Sequence, residues 1–312
     1  MTELIRGLRN IKPRHRGCVA TIGNFDGVHR GHQALLKKVQ QKAQALQVPS
    51  LVITFEPHPL EFFAPDKAAP RLTRWREKFS ALADCGIDRV LVVRFDEHFA
   101  KLTAEEFIEQ VLCKYLGIQH IIIGDDFRFG NKRQGDFEFL KNAGARLGFG
   151  VENMPSYTMD GERVSSTLVR DALVAGNHAQ VKKLLGRPYS MMGRVVYGDQ
   201  RGRVLGFPTA NIYLHRAVTP VRGVYTVQMQ GIADHSLPGV ANVGIRPTIG
   251  GTRALLEVHL FDFNQEIYGR HVQVEFCEKI RDEKKFDNLD LLKAQIGQDA
   301  TTAKNYFKKN GE

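Results

Sequence analysis

The chain has 312 residues, 43% of them hydrophobic and 25% charged, with a formal net charge of +10. That length points to two domains rather than one, and the composition is that of a soluble globular protein, which excludes a disordered or fibrous class. No apolar run approaches the roughly 20 residues that span a bilayer, which excludes a helical membrane protein.

Residues 1–16 are polar and basic, without the apolar segment of a secretory leader. Cys18, Cys85, Cys113 and Cys277 show neither CxxC nor CxH spacing. They read as reduced cysteines of a cytoplasmic protein, not as a disulfide framework or a zinc site. The basic residues are scattered, the longest lysine runs being pairs such as Lys37-Lys38 and Lys284-Lys285. A basic chain of this kind suits either a nucleic-acid partner or anionic small molecules. With no basic tail in view, the expectation is small-molecule substrates, no nucleic acid, no membrane and at most weak or transient self-association.

The first half alternates β-branched runs with helical spacing. Residues 18–22, 51–55, 90–95 and 120–124 read as buried strands, and 31–46, 73–85 and 103–116 as helices between them. Thr103 followed by Glu106 is a capping-box pattern. This alternation predicts a doubly wound parallel sheet covered on both faces, closed by helices at 166–175 and 179–185. At Gly186-Arg187-Pro188 the character changes. Residues 191–197, 223–229, 239–243, 254–263 and 271–280 read as strands separated by glycine and proline, predicting a small antiparallel β-barrel. A polar helix over 289–308 would pack against it. The division is therefore 1–185 and 186–312, with no repeat or low-complexity linker between.

Two segments carry chemistry. The first is Gly23-Asn24-Phe25-Asp26-Gly27-Val28-His29-Arg30-Gly31-His32, straight after a predicted strand. Gly23 and Gly27 permit a tight turn and close backbone approach, and a helix start favours an anion. His29 and His32 are three apart, share a helix face and can donate hydrogen bonds to phosphate oxygens as charge develops. Capping or packing is the rival reading, and no third metal-ligating residue sits at ligand spacing nearby.

The motif resembles the signature of the HxGH nucleotidyltransferase superfamily, whose members attack the α-phosphate of a nucleoside triphosphate and release pyrophosphate. Three further stretches narrow the resemblance: Thr54-Phe55-Glu56-Pro57-His58-Pro59; Gly124-Asp125-Asp126-Phe127-Arg128-Phe129-Gly130; and Ser165-Ser166-Thr167-Leu168-Val169-Arg170. Together they look like the FMN adenylyltransferase (FAD synthetase) module of bacterial bifunctional riboflavin biosynthesis proteins. The resemblance implies that Gly23, Phe25, Asp26, Gly27 and Gly31 line the nucleotide, and that Ser166, Thr167 and Arg170 hold the triphosphate from the side opposite His29 and His32. It implies Phe55, His58, Asp126 and Phe127 beside the flavin. Read without it, Arg170 suits a surface helix pair, and His58 suits a rigid proline-bounded turn equally well.

In the second segment, Gly193, Gly198, Gly202 and Gly206 punctuate a stretch carrying Arg201 and Arg203, then Phe207-Pro208-Thr209-Ala210-Asn211. A glycine-rich loop can wrap a polyphosphate with backbone N–H groups, although the pattern is no P-loop. Thr209 and Asn211 would share one side of an extended strand, and a hydroxyl with an amide carbonyl suits Mg²⁺. A plain barrel turn is the alternative. Glu257 interrupts the apolar run at 254–260; from spacing alone it faces solvent, and in a site it could act as a general base.

This second pattern resembles the riboflavin kinase module closely, with Gly223-Val224-Tyr225, Ala241-Asn242-Val243-Gly244, Pro247-Thr248 and residues 257–269 and 280–286 continuing it. The resemblance implies that Gly198, Arg201, Gly202, Gly206 and Pro208 hold nucleotide and that Thr209 and Asn211 bind Mg²⁺. It also implies that Glu257 deprotonates the ribityl 5′-hydroxyl, and that a loop from Arg281 to Phe286 closes over the flavin. Together the two modules imply phosphorylation of riboflavin to FMN by ATP, then adenylylation of FMN to FAD. A nucleotidyltransferase with another acceptor, or a flavin- or RNA-binding regulator with vestigial sites, are the competing classes.

Overall fold

The structure, a computed structural model, describes residues 1–198, 206–216, 218–248 and 251–311. It divides into two compact units. The first comprises Met1–Ala69 and Thr73–Ser165, the second Pro70–Leu72 and Ser166–Glu312.

The first unit is built on six parallel strands: β1 (Glu3–Arg6), β2 (Val19–Ile22), β3 (Ser50–Glu56), β4 (Arg89–Arg94), β5 (His120–Gly124) and β6 (Gly150–Met154). Their order in the sheet is β1-β4-β3-β2-β5-β6. Because strand residues alternate between faces, the sheet feeds two cores. Ala20, Ile22, Ile53, Leu91 and Ile123 pack on one side, and Val19, Val52, Val90 and Ile122 on the other. The second core is closed by α1 (Arg30–Ala45), through Leu35, Leu36 and Val39, and by α3 (Trp75–Asp84), through Ala81 and Leu82. The short helix α2 (Pro59–Phe63) follows β3, and α4 (Glu97–Ala100) follows β4. Helix α5 starts as an α-helix at Ala104–Glu106 and continues as a π-helix over Phe107–Tyr115. The capping box expected at Thr103 and Glu106 is present. Helix α6 (Phe137–Leu147) precedes β6, and a small hairpin, β7 (Thr158–Met159) with β8 (Glu162–Arg163), ends the unit.

Strand order reverses around β2, which pairs with β3 on one side and β5 on the other. The crevice at the carboxyl ends of such strands is where open α/β sheets bind ligands. The segments after β2 and after β5, at Gly23 and Gly124, are the two that carry the first motif set.

The second unit is a closed antiparallel barrel of order β10-β13-β12-β11-β14-β9. Its strands are β9 (Tyr189–Val196), β10 (Ala210–Tyr213), β11 (Gly223–Gln230), β12 (Leu237–Thr248), β13 (Gly251–Leu260) and β14 (His271–Arg281). The terminal helix α9 (Leu289–Asn310) buries Ala300, Ala303 and Phe307 against Val224, Val240 and Phe261. Helices α7 (Ser166–Val174) and α8 (His178–Leu185) belong to this unit, ahead of the division at Gly186 read from the sequence. The physical reason is contact: α8 lies on β9 and β14, with the ring of His178 edge-on to Tyr225 at 5.4 Å. Residues 70–72 join the unit through main-chain carbonyls. Arg170 Nε donates to Pro70 O at 2.7 Å, Arg216 Nη1 to Arg71 O at 3.0 Å and the Tyr189 hydroxyl to Leu72 O at 3.0 Å.

Candidate active sites

In the first unit the chain leaves β2 at Gly23 and makes an irregular turn before α1. Phe25 (φ 48°), Gly27 (φ 81°) and Val28 (φ 44°) are all left-handed. For a β-branched valine that conformation is strained, and such strain is held where surrounding structure fixes it. The fixing groups are Asp26 and Thr73. Asp26 Oδ1 accepts from the Thr73 N–H at 2.9 Å and its hydroxyl at 3.1 Å, while the Thr73 hydroxyl oxygen accepts from the Gly27 N–H at 3.0 Å. The buried Asp26 thus shapes the turn, a use distinct from direct contact with a nucleotide.

His29 is the N-cap of α1, its Nδ1 accepting from the His32 N–H at 3.3 Å. An accepting Nδ1 carries no proton, so the proton of the neutral ring is on Nε2. The rings of His29 and His32 stack at 3.7 Å, 17° apart, and Phe25 backs His32 at 5.0 Å. The capping reading and the shared-face reading therefore hold together. Gly31 permits the arrangement, since a Cβ there would lie 3.2 Å from the His29 ring; one on Gly23 would lie 3.1 Å from the Phe25 ring. Burial pushes His29 down to about 4, a shift that Asp26 opposes and Arg163 adds to. Burial, then His29, then Lys78 hold His32 well below the usual imidazole range. At neutral pH both rings are uncharged donors at a helix start.

The other residues expected around this site fall as follows. Phe55 is half-buried, its ring 5.7 Å from Phe95 and 5.6 Å from Phe99. His58 caps α2, its Nδ1 accepting from the Leu60 N–H at 3.1 Å, so the rigid-turn reading is met. Phe127 stacks with Phe129 at 5.6 Å. Asp126 accepts from Arg163 Nη2 at 2.6 Å, and Asp125 accepts from Ser156 N–H at 3.0 Å. Sequence reasoning missed Arg163 and Thr73, whose partners lie tens of residues away and leave no local spacing signal. Ser166, Thr167 and Arg170 belong to the second unit. Ser166 and Thr167 open α7, and Arg170 is engaged by the Pro70 carbonyl.

In the second unit, Arg201, Gly202 and Arg203 lie outside the described residues. Gly206 has φ 86°, a left-handed turn that suits glycine. Pro208 O accepts from the His259 Nδ1–H at 2.9 Å, and Phe207 meets the His259 ring edge-on at 5.4 Å. His259 thus fixes the approach to Thr209, and its own place two residues after Glu257, on the same face of β13, was the available signal. Asn211 is buried and sits directly opposite Glu257 across β10 and β13, while Asn242 faces Glu257 from β12. Directly paired residues share a sheet face, so Asn211, Glu257 and Asn242 form one row across three strands, with Glu257 half-buried. A Cβ on Gly198 would run into the Asn211 amide, so that glycine makes the cradle in which the amide sits. Two amides and a carboxylate in one strand row, with the Thr209 hydroxyl just before β10, are hard oxygen donors that suit a magnesium-polyphosphate better than a softer metal.

At the far end of β14, Arg281 donates from Nε to Asp299 Oδ1 at 2.9 Å and from Nη2 to Oδ2 at 2.6 Å, a fork onto the terminal helix. Its Nη1 donates to Asp282 O at 2.9 Å, and its guanidinium lies over the half-buried Phe286 at 5.9 Å.

Against known sequences, a family model described as FAD synthetase matches residues 11–168, and one described as riboflavin kinase matches residues 185–307. The bifunctional riboflavin kinase/FMN adenylyltransferase of Escherichia coli strain K12 is 52% identical over 306 residues, 98% of each chain. The chain belongs to the bifunctional riboflavin kinase/FMN adenylyltransferase family. The family's protein from Haemophilus influenzae is 50% identical over 305 residues, covering 98% of this chain and 99% of its own. A crystal structure of a protein from Streptococcus pneumoniae, named there a macrolide-efflux protein, superposes with a TM-score of 0.81 at 35% identity, covering 97% of this chain and 99% of that one. That likeness carries the fold of the family; macrolide efflux is said of the Streptococcus protein alone. Among the described residues no helix is long and apolar enough to cross a membrane.

Proposed function

We propose that the chain makes FMN and then FAD at two sites, in the cytoplasm and with small-molecule substrates only. The observation that carries this reading is a conjunction. A chain half identical to the family's bifunctional enzymes over nearly its full length has both a pair of stacked, neutral imidazoles at a helix start and a carboxylate-amide row beside a cradle glycine.

In the kinase step the riboflavin 5′-hydroxyl attacks the γ-phosphate of ATP, Glu257 takes the hydroxyl proton, and ADP leaves. Phosphoryl transfer of this kind depends on positioning and charge stabilisation more than on covalent chemistry. Thr209 and Asn211 would hold Mg²⁺ with the ATP phosphates, and Gly198, Gly206 and Pro208 would shape the nucleotide side. The ion supplies neutralisation of charge on the β- and γ-phosphates. The segment from Arg281 to Phe286 covers the flavin.

In the adenylyl step a phosphate oxygen of FMN attacks the α-phosphate of a second ATP, the α–β bond breaks, and pyrophosphate leaves. His29 Nε2–H and a ring N–H of His32 donate to the oxygens on which charge builds. Being uncharged, the rings stabilise that charge without first trapping phosphate as an ion pair. Phe55, His58, Asp126 and Phe127 flank the flavin, and Ser166, Thr167 and Arg170 keep the triphosphate role that their motif implies.

Purified protein incubated with riboflavin, ATP and Mg²⁺, with the flavins separated over time, tests the reading. FMN followed by FAD is expected. Riboflavin left unchanged while supplied FMN becomes FAD would remove the kinase half; FMN alone would remove the adenylyl half.

A further inference from the structure

Building on the kinase reading, we propose that Asp299 is a positioning residue for riboflavin binding. It acts through Arg281 on the loop that follows β14, and it touches no substrate itself. Asp299 is 3% exposed, on the face of α9 that packs against the barrel. A buried carboxylate must be paired and hydrogen-bonded, and Asp299 is. Besides the Arg281 fork, its Oδ1 accepts from Gln295 Nε2 one helical turn earlier at 3.0 Å. The carboxylate is thereby fixed on a helix rather than on a loop.

Arg281 passes that fixity on. A guanidinium is planar, so two bonds to one carboxylate set the orientation of the whole group. With Nε and Nη2 held by Asp299, Nη1 is aimed at Asp282 O, the first main-chain acceptor of the loop, and the guanidinium Cζ lies over the ring of Phe286, near the loop's end, at 5.9 Å. One carboxylate on α9 thus braces both ends of the segment 282–286. Among the described residues the loop's other ion pairs reach solvent: Lys279 with the exposed Asp282 at 2.6 Å, and Arg222 with Glu283 at 3.5 Å. Exposed pairs contribute little to order. The buried pair is therefore the main restraint on the loop, and without it the loop must be ordered afresh each time the flavin binds, at a cost in affinity.

Asp299→Asn keeps the shape and an acceptor but removes the charge. Expected is a KM for riboflavin raised about tenfold, equivalent to about 1.4 kcal/mol. The kcat of FMN formation should stay within about twofold, and adenylylation of supplied FMN should not change. Asp299→Glu, which keeps the charge but displaces the fork by a methylene, should show the same split, and it serves if Asp299→Asn does not fold. An unchanged KM in both variants overturns the proposal. So does a parallel fall in kcat, in adenylylation and in thermal midpoint, which marks a merely structural pair. Wild-type protein that forms no FMN in the same assay would instead remove the kinase reading.

Discussion

Asn211 and Glu257 face each other directly across β10 and β13, so the amide proposed to hold the metal-bound phosphate and the carboxylate proposed as the base share one strand row. Replacing Glu257 by Gln keeps the row and removes the base. Riboflavin phosphorylation should fall by roughly 10²–10⁴-fold, the usual contribution of general base catalysis, while FMN supplied directly is still converted to FAD. Kinase turnover within twofold of wild type would end the general-base assignment.

The cradle under Asn211 gives a second prediction. Gly198→Ala introduces a Cβ into the Asn211 amide, and the amide must move. Displacement by about an ångström can cost roughly 100-fold in rate, so phosphorylation should fall by that order with adenylylation intact. Separate initial-rate assays on riboflavin and on FMN check it.

His32→Ala removes one of two stacked donors from the start of α1. By analogy with loss of a single oxyanion donor, adenylylation should drop roughly 10²–10³-fold. FMN should then accumulate from riboflavin at the wild-type rate. Equal loss of both activities in a folded variant would contradict the assignment.

The buried imidazoles also predict how stability follows pH. His29 and His178 are both pushed down to about 4 by burial, and His32 lies well below its ordinary value. Their folded pKa values thus lie below the unfolded value near 6.5. As pH falls through 6.5 the unfolded chain takes up protons that the native state refuses. Stability is therefore fully present above about pH 6.5 and declines towards pH 4, by at most about 1.4 kcal/mol per pH unit for each group. Urea midpoints should be flat from pH 8 to 7 and fall from 6.5 to 5. His178→Gln should make that fall shallower, and a wild-type midpoint level down to pH 5 would refute the explanation.

How much of this was legible in the sequence depended on how local the cause was. Strands β2 to β5 are dense β-branched or apolar runs, and the structure bears them out within two residues. Strand β1 went unread because only Ile5 of Glu3–Arg6 is buried, and β6 because no residue of it is fully buried, leaving no alternation. The π-helical continuation of α5 is invisible to a reading that assumes 3.6 residues per turn. Helices α7 and α8 were recognised as helices, but which core they join is decided by β9, β14 and residues 70–72. The site motifs themselves were plain. Their supports were not: Thr73 under Asp26, Arg163 on Asp126 and Asp299 on Arg281 are ordinary residues until the fold brings them alongside.

Because residues 70–72 supply main-chain acceptors to Arg170, Arg216 and Tyr189, neither compact unit is a continuous stretch of chain. A gene fragment beginning at Gly186 would encode the barrel without two of its helices and without those acceptors. One beginning at Ser166 would restore the helices and still omit the acceptors. A single recombination point cannot deliver the second unit whole. The asymmetry is one-sided: a fragment ending at Ser165 keeps every residue of the first unit, whereas no fragment holds the whole second unit without carrying much of the first.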